Sequence, residues 1–325
     1  MSKEISKMDP ILIAGANGMA GSAICRKLKE RGYVNLQTPS RSELDFLNLK
    51  ETIEWFDKKN PAIVIIAAAK VGGILANNSK PADFILNNLK IQTNIIETAW
   101  KKKVKKLIFL GSSCIYPKHS EQPIKEESLL TGPLEITNES YAIAKITGIK
   151  LCNALRMQYG FNAISLMPTN LYGPGDNYDD QESHVLAAFI QRFYKAKNLS
   201  KDFVCCWGSG SPLREFMHVD DLGAATVFTL ENWDPNSDNA PKDDFGNSLY
   251  HLNVGTGREI TIKNLAKKVA QIIGYEGQII WDSSKPDGTI RKLLNVDKIN
   301  NLGWEASIKL EEGLRSTILN FNSYD

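Results

Sequence analysis

The chain has no apolar run of transmembrane length, and its first ten residues lack the apolar segment of a secretory leader, so neither a membrane partner nor export is expected. Histidine is scarce, with four in 325 residues. The five cysteines stand at 25, 114, 152, 205 and 206, without the spacing of a metal site or a disulfide framework. No metal is expected, and free thiols predict a reducing, cytoplasmic setting. An excess of one charge sign is also missing, since 39 Lys and Arg against 37 Asp and Glu leave a net charge of +2. The one dense cluster, Lys101, Lys102, Lys103, Lys105 and Lys106, lies between a helical pattern and a strand and reads as a solvated helix end, which argues against a nucleic-acid partner. With 42% hydrophobic and 23% charged residues and no repeat or low-complexity tract, the chain is globular, with one large core or two lobes.

What is present is an alternation of β-branched apolar runs with longer helical patterns. The runs are ILIAG (11–15), YVNLQ (33–37), AIVIIAAA (62–69) and KLIFLGSS (106–113); a helix ends near Arg31 and another spans 81–100. Continuous apolar strands separated by helices predict a parallel sheet covered on both faces. After about residue 170 the pattern loosens into Gly-, Pro- and Asp-rich loops, with helical segments at 219–230, 262–273 and 311–321. The expected fold is therefore α/β. Residues 1–170 form a Rossmann-type doubly wound parallel sheet. Residues 171–325 form mainly a second, smaller substrate-binding lobe, from which a segment near 215–231 returns to the first unit. Residues 231–248 read as a surface insertion.

The first strand runs straight into GANGMAG (15–21), in which Gly15, Gly18 and Gly21 have the spacing of a dinucleotide loop. Missing side chains permit the tight turn and let a helix N-terminus approach a pyrophosphate, so Ala16, Asn17, Met19 and Ala20 join the three glycines as cofactor-binding candidates. The second strand leads into QTPSRSELDF (37–46). That segment has no acid where an NAD-preferring site holds the ribose hydroxyls, and it carries Arg41. A guanidinium suits a ribose 2′-phosphate, so NADP is favoured, the alternative being a solvent-facing arginine.

Tyr141 and Lys145, four residues apart in a helical pattern, project from one face. There the ammonium can lower the pKa of the phenol and hold the nicotinamide ribose, while the phenol protonates a carbonyl oxygen as hydride arrives. Tyr-x-x-x-Lys is also a common surface pair. Here it follows a glycine loop and a serine-bearing strand end, Ser112, and the order of these elements resembles the short-chain dehydrogenase/reductase superfamily in its extended, sugar-nucleotide-modifying branch. Further blocks carry the resemblance over nearly the whole chain: residues 67–88, LGSSCIYPK (110–118), YAIAKITGIKLC (141–152), MPTNLYGPGDN (167–177), WGSGSPLREFMHVDDL (207–222), NVGTG (253–257) and KPDGTIRKLL (285–294). They are similar to the members of that branch that epimerise and then reduce a GDP-bound 4-keto-6-deoxy sugar with NADPH.

The resemblance implies that Ser112 and Tyr141 bind the substrate oxygen and that Lys145 orients the cofactor. Further NADP contacts are implied at Asp45, Phe46, Leu110, Gly111, Ser113, Pro168, Thr169, Asn170, Leu171 and His184. Contacts with the GDP-sugar are implied at Arg192, Trp207, Arg214 and Asp287. The family also implies a homodimer, through helices at 81–100 and 140–159.

Cys114, two residues after Ser112, is the chemically unusual member. A sugar dehydratase of the same superfamily has an acid there, and a plain reductase needs no thiol. A thiol can take a carbon-bound proton that a neighbouring carbonyl has acidified; the plainer alternative is a packed core cysteine. Inversion also needs a group on the opposite face, and the resemblance assigns that to His184, whose side chain titrates near neutrality. His119, His251 and His218 read as structural, and Lys70, at the tip of the third strand, is expected to act electrostatically. The expected reaction is epimerisation at C-3 and C-5 followed by reduction at C-4. The alternatives are a nucleotide-sugar 4-epimerase with tightly held NAD, a dehydratase and a non-catalytic dinucleotide sensor.

Overall fold

The computed structural model describes residues 4–179, 183–285 and 287–322. Its first half alternates strand and helix: β1 (Ile11–Ala14), α1 (Met19–Glu30), β2 (Leu36–Gln37), α2 (Leu49–Lys59), β3 (Ile63–Ile66), α3 (Ile74–Ser79), α4 (Pro81–Lys101), β4 (Lys106–Leu110), α5 (Glu139–Tyr159) and β5 (Ala163–Pro168). The second half contains β6 (Asn170–Tyr172), α6 (Val185–Asn198), β7 (Phe203–Trp207), β8 (Leu213–His218), α7 (Val219–Asn232), β9 (His251–Val254) and β10 (Glu259–Thr261). It ends with α8 (Ile262–Ile273), β11 (Gln278–Asp282), β12 (Arg291–Lys292), α9 (Asp297–Leu302) and α10 (Leu310–Asn322). Among the described residues no helix is long and apolar enough to cross a membrane.

β1 and β3 are unbroken apolar runs with no polar side to offer water, and both are buried along their whole length. They therefore take central places in a six-stranded sheet of order β2-β1-β3-β4-β5-β9, in which every pairing is parallel. β2 is shorter than its apolar run predicts. The Tyr33 amide bonds to the Leu28 carbonyl, closing the end of α1, and the ring turns into the core, so only Leu36 and Gln37 pair. The strand order reverses between β1 and β3, which opens a crevice at their C-terminal ends.

Apolar residues gather into two cores. The first surrounds the large sheet and takes in Leu222, Ala225 and Leu230 of α7, together with Leu252, Leu294 and Ile299 from later segments. The second joins Phe189 and Phe193 of α6 to Leu265 and Val269 of α8 and Leu314 of α10. Lys106 departs from its reading as part of a solvated cluster. It opens a buried strand and is 4% exposed, and its ammonium donates to the carbonyls of Thr229 (2.9 Å), Leu230 (2.9 Å) and Trp233 (2.7 Å) at the end of α7. Burial pulls its pKa down to about 7. The 231–248 segment is anchored at Trp233 and Ala240, both buried, and exposes Phe245.

In the second lobe β8 is the hub. It pairs antiparallel with β10, parallel with β12 and, further along, parallel with β6, while β7 and β11 form a separate parallel pair. Glu215, fully buried in β8, accepts backbone N–H bonds from Thr256 (2.6 Å), Gly257 (2.8 Å) and Leu294 (3.0 Å). This carboxylate fastens three chain segments together and fixes the strand that carries its neighbour Arg214.

Candidate active site

Gly15 has φ +84°, and a Cβ there would lie 2.6 Å from the Ala68 amide nitrogen; a Cβ on Gly21 would lie 2.1 Å from the Gly15 carbonyl oxygen. Only glycine allows the loop to sit against the end of β3 and α1 to sit against the loop. Gly18 is the extended N-cap of α1. No side chain caps that helix end among the described residues, and its first turn contains no acid, so its N–H groups and the positive end of its dipole remain available to an anion. A Cβ at Gly18 would meet only the Gly15 carbonyl oxygen, at 3.5 Å, which leaves the space above open. Ala16 is buried beneath the loop, Asn17 is exposed, and Met19 and Ala20 are half-buried in the first turn. Arg41 is exposed in the loop after β2, while the Asp45 carboxylate accepts from the Leu47 amide (3.1 Å) and the Phe46 carbonyl accepts from Asn94 Nδ2 (2.8 Å). A glycine cradle with an uncapped helix end and an outlying guanidinium fits NADP.

Beyond β4, Gly111 packs against Met167, and Ser112 caps a single tight turn by accepting from the Cys114 amide at Oγ (3.2 Å). That turn sends Ser113 and Ile115 inward, 2% and 0% exposed, and leaves Ser112 and Cys114 half-buried and open to solvent. Tyr141, in the first turn of α5, shares a side-chain hydrogen bond with Ser112. Burial is the main influence on its phenol and holds the pKa above the usual range; negative charge on Cys114 adds to this, and the Ser112 bond opposes it. Lys145 lies one turn on, buried, with Nζ donating to the Leu110 carbonyl (2.7 Å). Desolvation brings its pKa down to about 7. The geometry differs here from the expectation that the ammonium lowers the phenol, because Lys145 is turned toward a carbonyl and burial dominates both groups.

His184 stands at the entry to α6 without a capping bond from its side chain. It is solvent-accessible, and desolvation by the surrounding protein lowers its pKa. Two turns along α6, the Arg192 guanidinium lies 5.6 Å from the ring centroid of half-exposed Trp207. Arg214 on β8 is desolvated, which lowers its pKa, and it interacts electrostatically with Cys114, Asp287 and Glu135 in that order. Lys292, to which the sequence reading gave no role, lies with Nζ 3.5 Å from Cys114 Sγ. The segment KPDGTIRKLL entered the sequence reading only as part of the resemblance, and nothing in it indicated the partner.

Other candidates are placed differently. Both Asp287 carboxylate oxygens are engaged by Ser209, through its amide (2.7 Å) and its hydroxyl (2.8 Å), so this side chain ties two loops together. Asn170 Nδ2 and Thr169 Oγ1 donate to the Glu215 carbonyl (2.8 and 3.4 Å), Pro168 ends β5, and half-buried Leu171 lies in β6. The Lys70 ammonium pairs with Asp83 in the first turn of α4 (2.9 Å) instead of standing free at the strand tip. His218 caps α7 by accepting from the Asp220 amide (3.2 Å), His251 contacts the Glu126 carbonyl (3.2 Å) inside the core, and His119 is exposed in a loop. Among the described residues no group of His, Cys, Asp and Glu could hold a metal ion.

A phenol bonded to a hydroxyl, a buried lysine one turn on and an uncapped helix end behind a glycine loop are the parts of a dinucleotide-dependent oxidoreductase. A model of the NAD dependent epimerase/dehydratase family matches residues 11–242, and the chain belongs to that family. Within it, the chain is 50% identical over 321 residues to GDP-L-fucose synthase 1 of Arabidopsis thaliana, covering 98% of this chain and 95% of that protein. It is also 50% identical over 311 residues to the GDP-L-fucose synthase of Escherichia coli (strain K12), covering 94% of each. The crystal structure of a GDP-L-fucose synthetase from Naegleria fowleri bound to NADP superposes with a TM-score of 0.85 at 26% identity, covering 99% of this chain and 96% of that one.

Proposed function

We propose that this chain converts GDP-4-keto-6-deoxy-D-mannose to GDP-L-fucose by epimerising C-3 and C-5 and then reducing the C-4 ketone with NADPH. The observation that carries this reading is Cys114, which shares one solvent-facing turn with Ser112 and lies within electrostatic reach of Tyr141. A 4-epimerase needs no thiol at that point, and a dehydratase has an acid there. The chain's likeness to curated GDP-L-fucose synthases over nearly its whole length selects the substrate.

In this reading Cys114 takes the proton from C-3, Ser112 and Tyr141 hold the resulting enolate oxygen, and His184 protonates the opposite face. C-5 adjoins the same carbonyl and inverts by the same pair. NADPH supplies the hydride for C-4 when bound. The Tyr141 phenol, kept neutral by burial, then gives its proton to the C-4 oxygen. Lys145 holds the nicotinamide ribose, and the loop from Gly15 to Gly21 cradles the pyrophosphate. Arg41 meets the 2′-phosphate, with Asp45, Phe46 and the strand ends at 110–113 and 168–171 completing the cofactor contacts. Arg192, Trp207 and Arg214 hold the GDP moiety, and Asp287 steadies the loop beside them through Ser209. Residues 1–170 serve the cofactor and 171–325 mainly the sugar nucleotide. The active form is a homodimer joined through α4 and α5, and the five unpaired thiols suit the cytoplasm.

The test is incubation with NADPH and the 4-keto sugar in deuterated water, followed by NMR of the product. The unsubstituted protein is expected to yield GDP-L-fucose labelled at C-3 and C-5. Cys114→Ser is expected to lower exchange at both carbons by about two orders of magnitude or more while NADPH still binds. Wild-type labelling and inverted product from that variant would return the thiol to a packing role.

A further inference from the structure

We infer that Lys292 is the positioning residue for the thiol, its ammonium holding Cys114 as the thiolate. Nζ lies 3.5 Å from Sγ, within hydrogen-bonding reach of sulfur. The strand register brings it there: β12 pairs parallel with β8, with Lys292 opposite Arg214, so the pairing sets two cations side by side. The residues on either side of Lys292 are pinned. Arg291 Nε donates to Glu259 (2.8 Å), the Leu293 amide to Gln122 Oε1 (2.8 Å) and the Leu294 amide to Glu215 (3.0 Å). Among the described residues no carboxylate pairs with the Lys292 ammonium, and the thiol is its one side-chain hydrogen-bond partner.

Among the described residues the ionisable groups facing Cys114 are Lys292 from β12, Arg214 from β8 and Tyr141 from α5. Two are cations, each of which attracts an anionic sulfur, and the third is a phenol that stays neutral. The role deepens the proposed reaction and rests on it for its use. In the proton-transfer step an S–H bond forms as the C–H bond beside the carbonyl breaks, and the electron pair of that bond passes into the enolate. Lys292 keeps its own proton, and the new thiol proton leaves to water after each abstraction, so that the thiolate is restored before the C-5 step and again before the next turnover.

The experiment is alkylation of Cys114 by iodoacetamide as a function of pH on the full, substrate-free chain, read at the Cys114 peptide by mass spectrometry, so that the other four cysteines do not contribute. Lys292→Met is expected to move the midpoint up by about one pH unit, an approximately tenfold slower reaction below it, while Lys292→Arg keeps the original profile. An unmoved midpoint in folded Lys292→Met overturns the inference. The unsubstituted protein gives a second reading that no folding defect can obscure: its midpoint must fall below the value of about 8.5 for a free thiol, and one at or above it overturns the pairing. Carbon exchange at C-3 and C-5 is followed separately. If the alkylation shift occurs but the unsubstituted protein exchanges neither carbon, the pairing stands and the proposed reaction is overturned.

Discussion

Ser112 and Cys114 divide between them the two chemical demands of the proposed reaction, and the turn that Ser112 caps is what points both toward solvent while Ser113 and Ile115 go inward. A hydroxyl beside a phenol suits an oxygen that gains charge; a thiol beside a lysine suits a proton bound to carbon. The proposed choice of cofactor also rests on a single residue. Arg41 is exposed and forms no ion pair among the described residues, so its guanidinium is free to meet a 2′-phosphate. Arg41→Ala is expected to weaken NADPH by about tenfold, the order of one charged hydrogen-bonded contact, and to leave NADH almost unchanged. Titrating both cofactors against the variant by fluorescence checks this, and equal losses for the two would remove Arg41 from the phosphate site.

At the scale of elements, α5 has two tasks on opposite faces. One face packs on the sheet and delivers Tyr141 and Lys145 to the end of β4; the other carries Ile143, Thr147, Lys150, Ala154 and Met157 in one exposed stripe. The neighbouring α4 adds half-exposed Leu86, and Met157 is 77% exposed, a large share for an apolar side chain on a packed helix. Such a stripe fits a second copy of the chain across a two-fold axis, where each α5 meets its counterpart. Met157→Glu is therefore expected to shift the protein from dimer to monomer, because a carboxylate and its partner-copy equivalent would be buried together. Light scattering after gel filtration reads the mass directly. A monomeric unsubstituted protein, or a dimer unaffected by the substitution, would place any interface elsewhere.

The whole molecule couples its stability to pH through groups far from the cofactor loop. His251 in β9 is buried against the Glu126 carbonyl, and burial pulls its pKa from 6.5 to about 4. Between those values the unfolded chain binds the proton and the folded chain does not, so stability is fully present above pH 6.5 and is lost as pH falls toward 4. The difference corresponds to about 3 kcal/mol at the acid end. His251→Gln is expected to flatten the fall in stability between pH 7 and 4 by about that amount, measured by urea unfolding across the range. Parallel curves for the two proteins would assign the acid sensitivity to other buried groups.

Local pattern was enough for the α/β class, the central strands, the glycine loop and the Tyr141–Lys145 pair, because each depends on residues close together in the chain. Period, β-branching and a four-residue helical spacing are all local quantities. The boundaries of α8 at Ile262 and Ile273 were legible for the same reason: Thr261 caps its start, and Gly274 ends it in a left-handed conformation. Only the tertiary structure decided the rest. Lys106 belongs by sequence to a surface cluster, but the chain returns 123 residues later to offer it the Thr229 carbonyl. Asp287 finds Ser209, Glu215 finds the amides of Thr256, Gly257 and Leu294, and Lys292 finds Cys114 across 178 residues. The position of a charged side chain with several single bonds depends on which distant group can satisfy it without solvent, and strand pairing settled that after the local elements had formed.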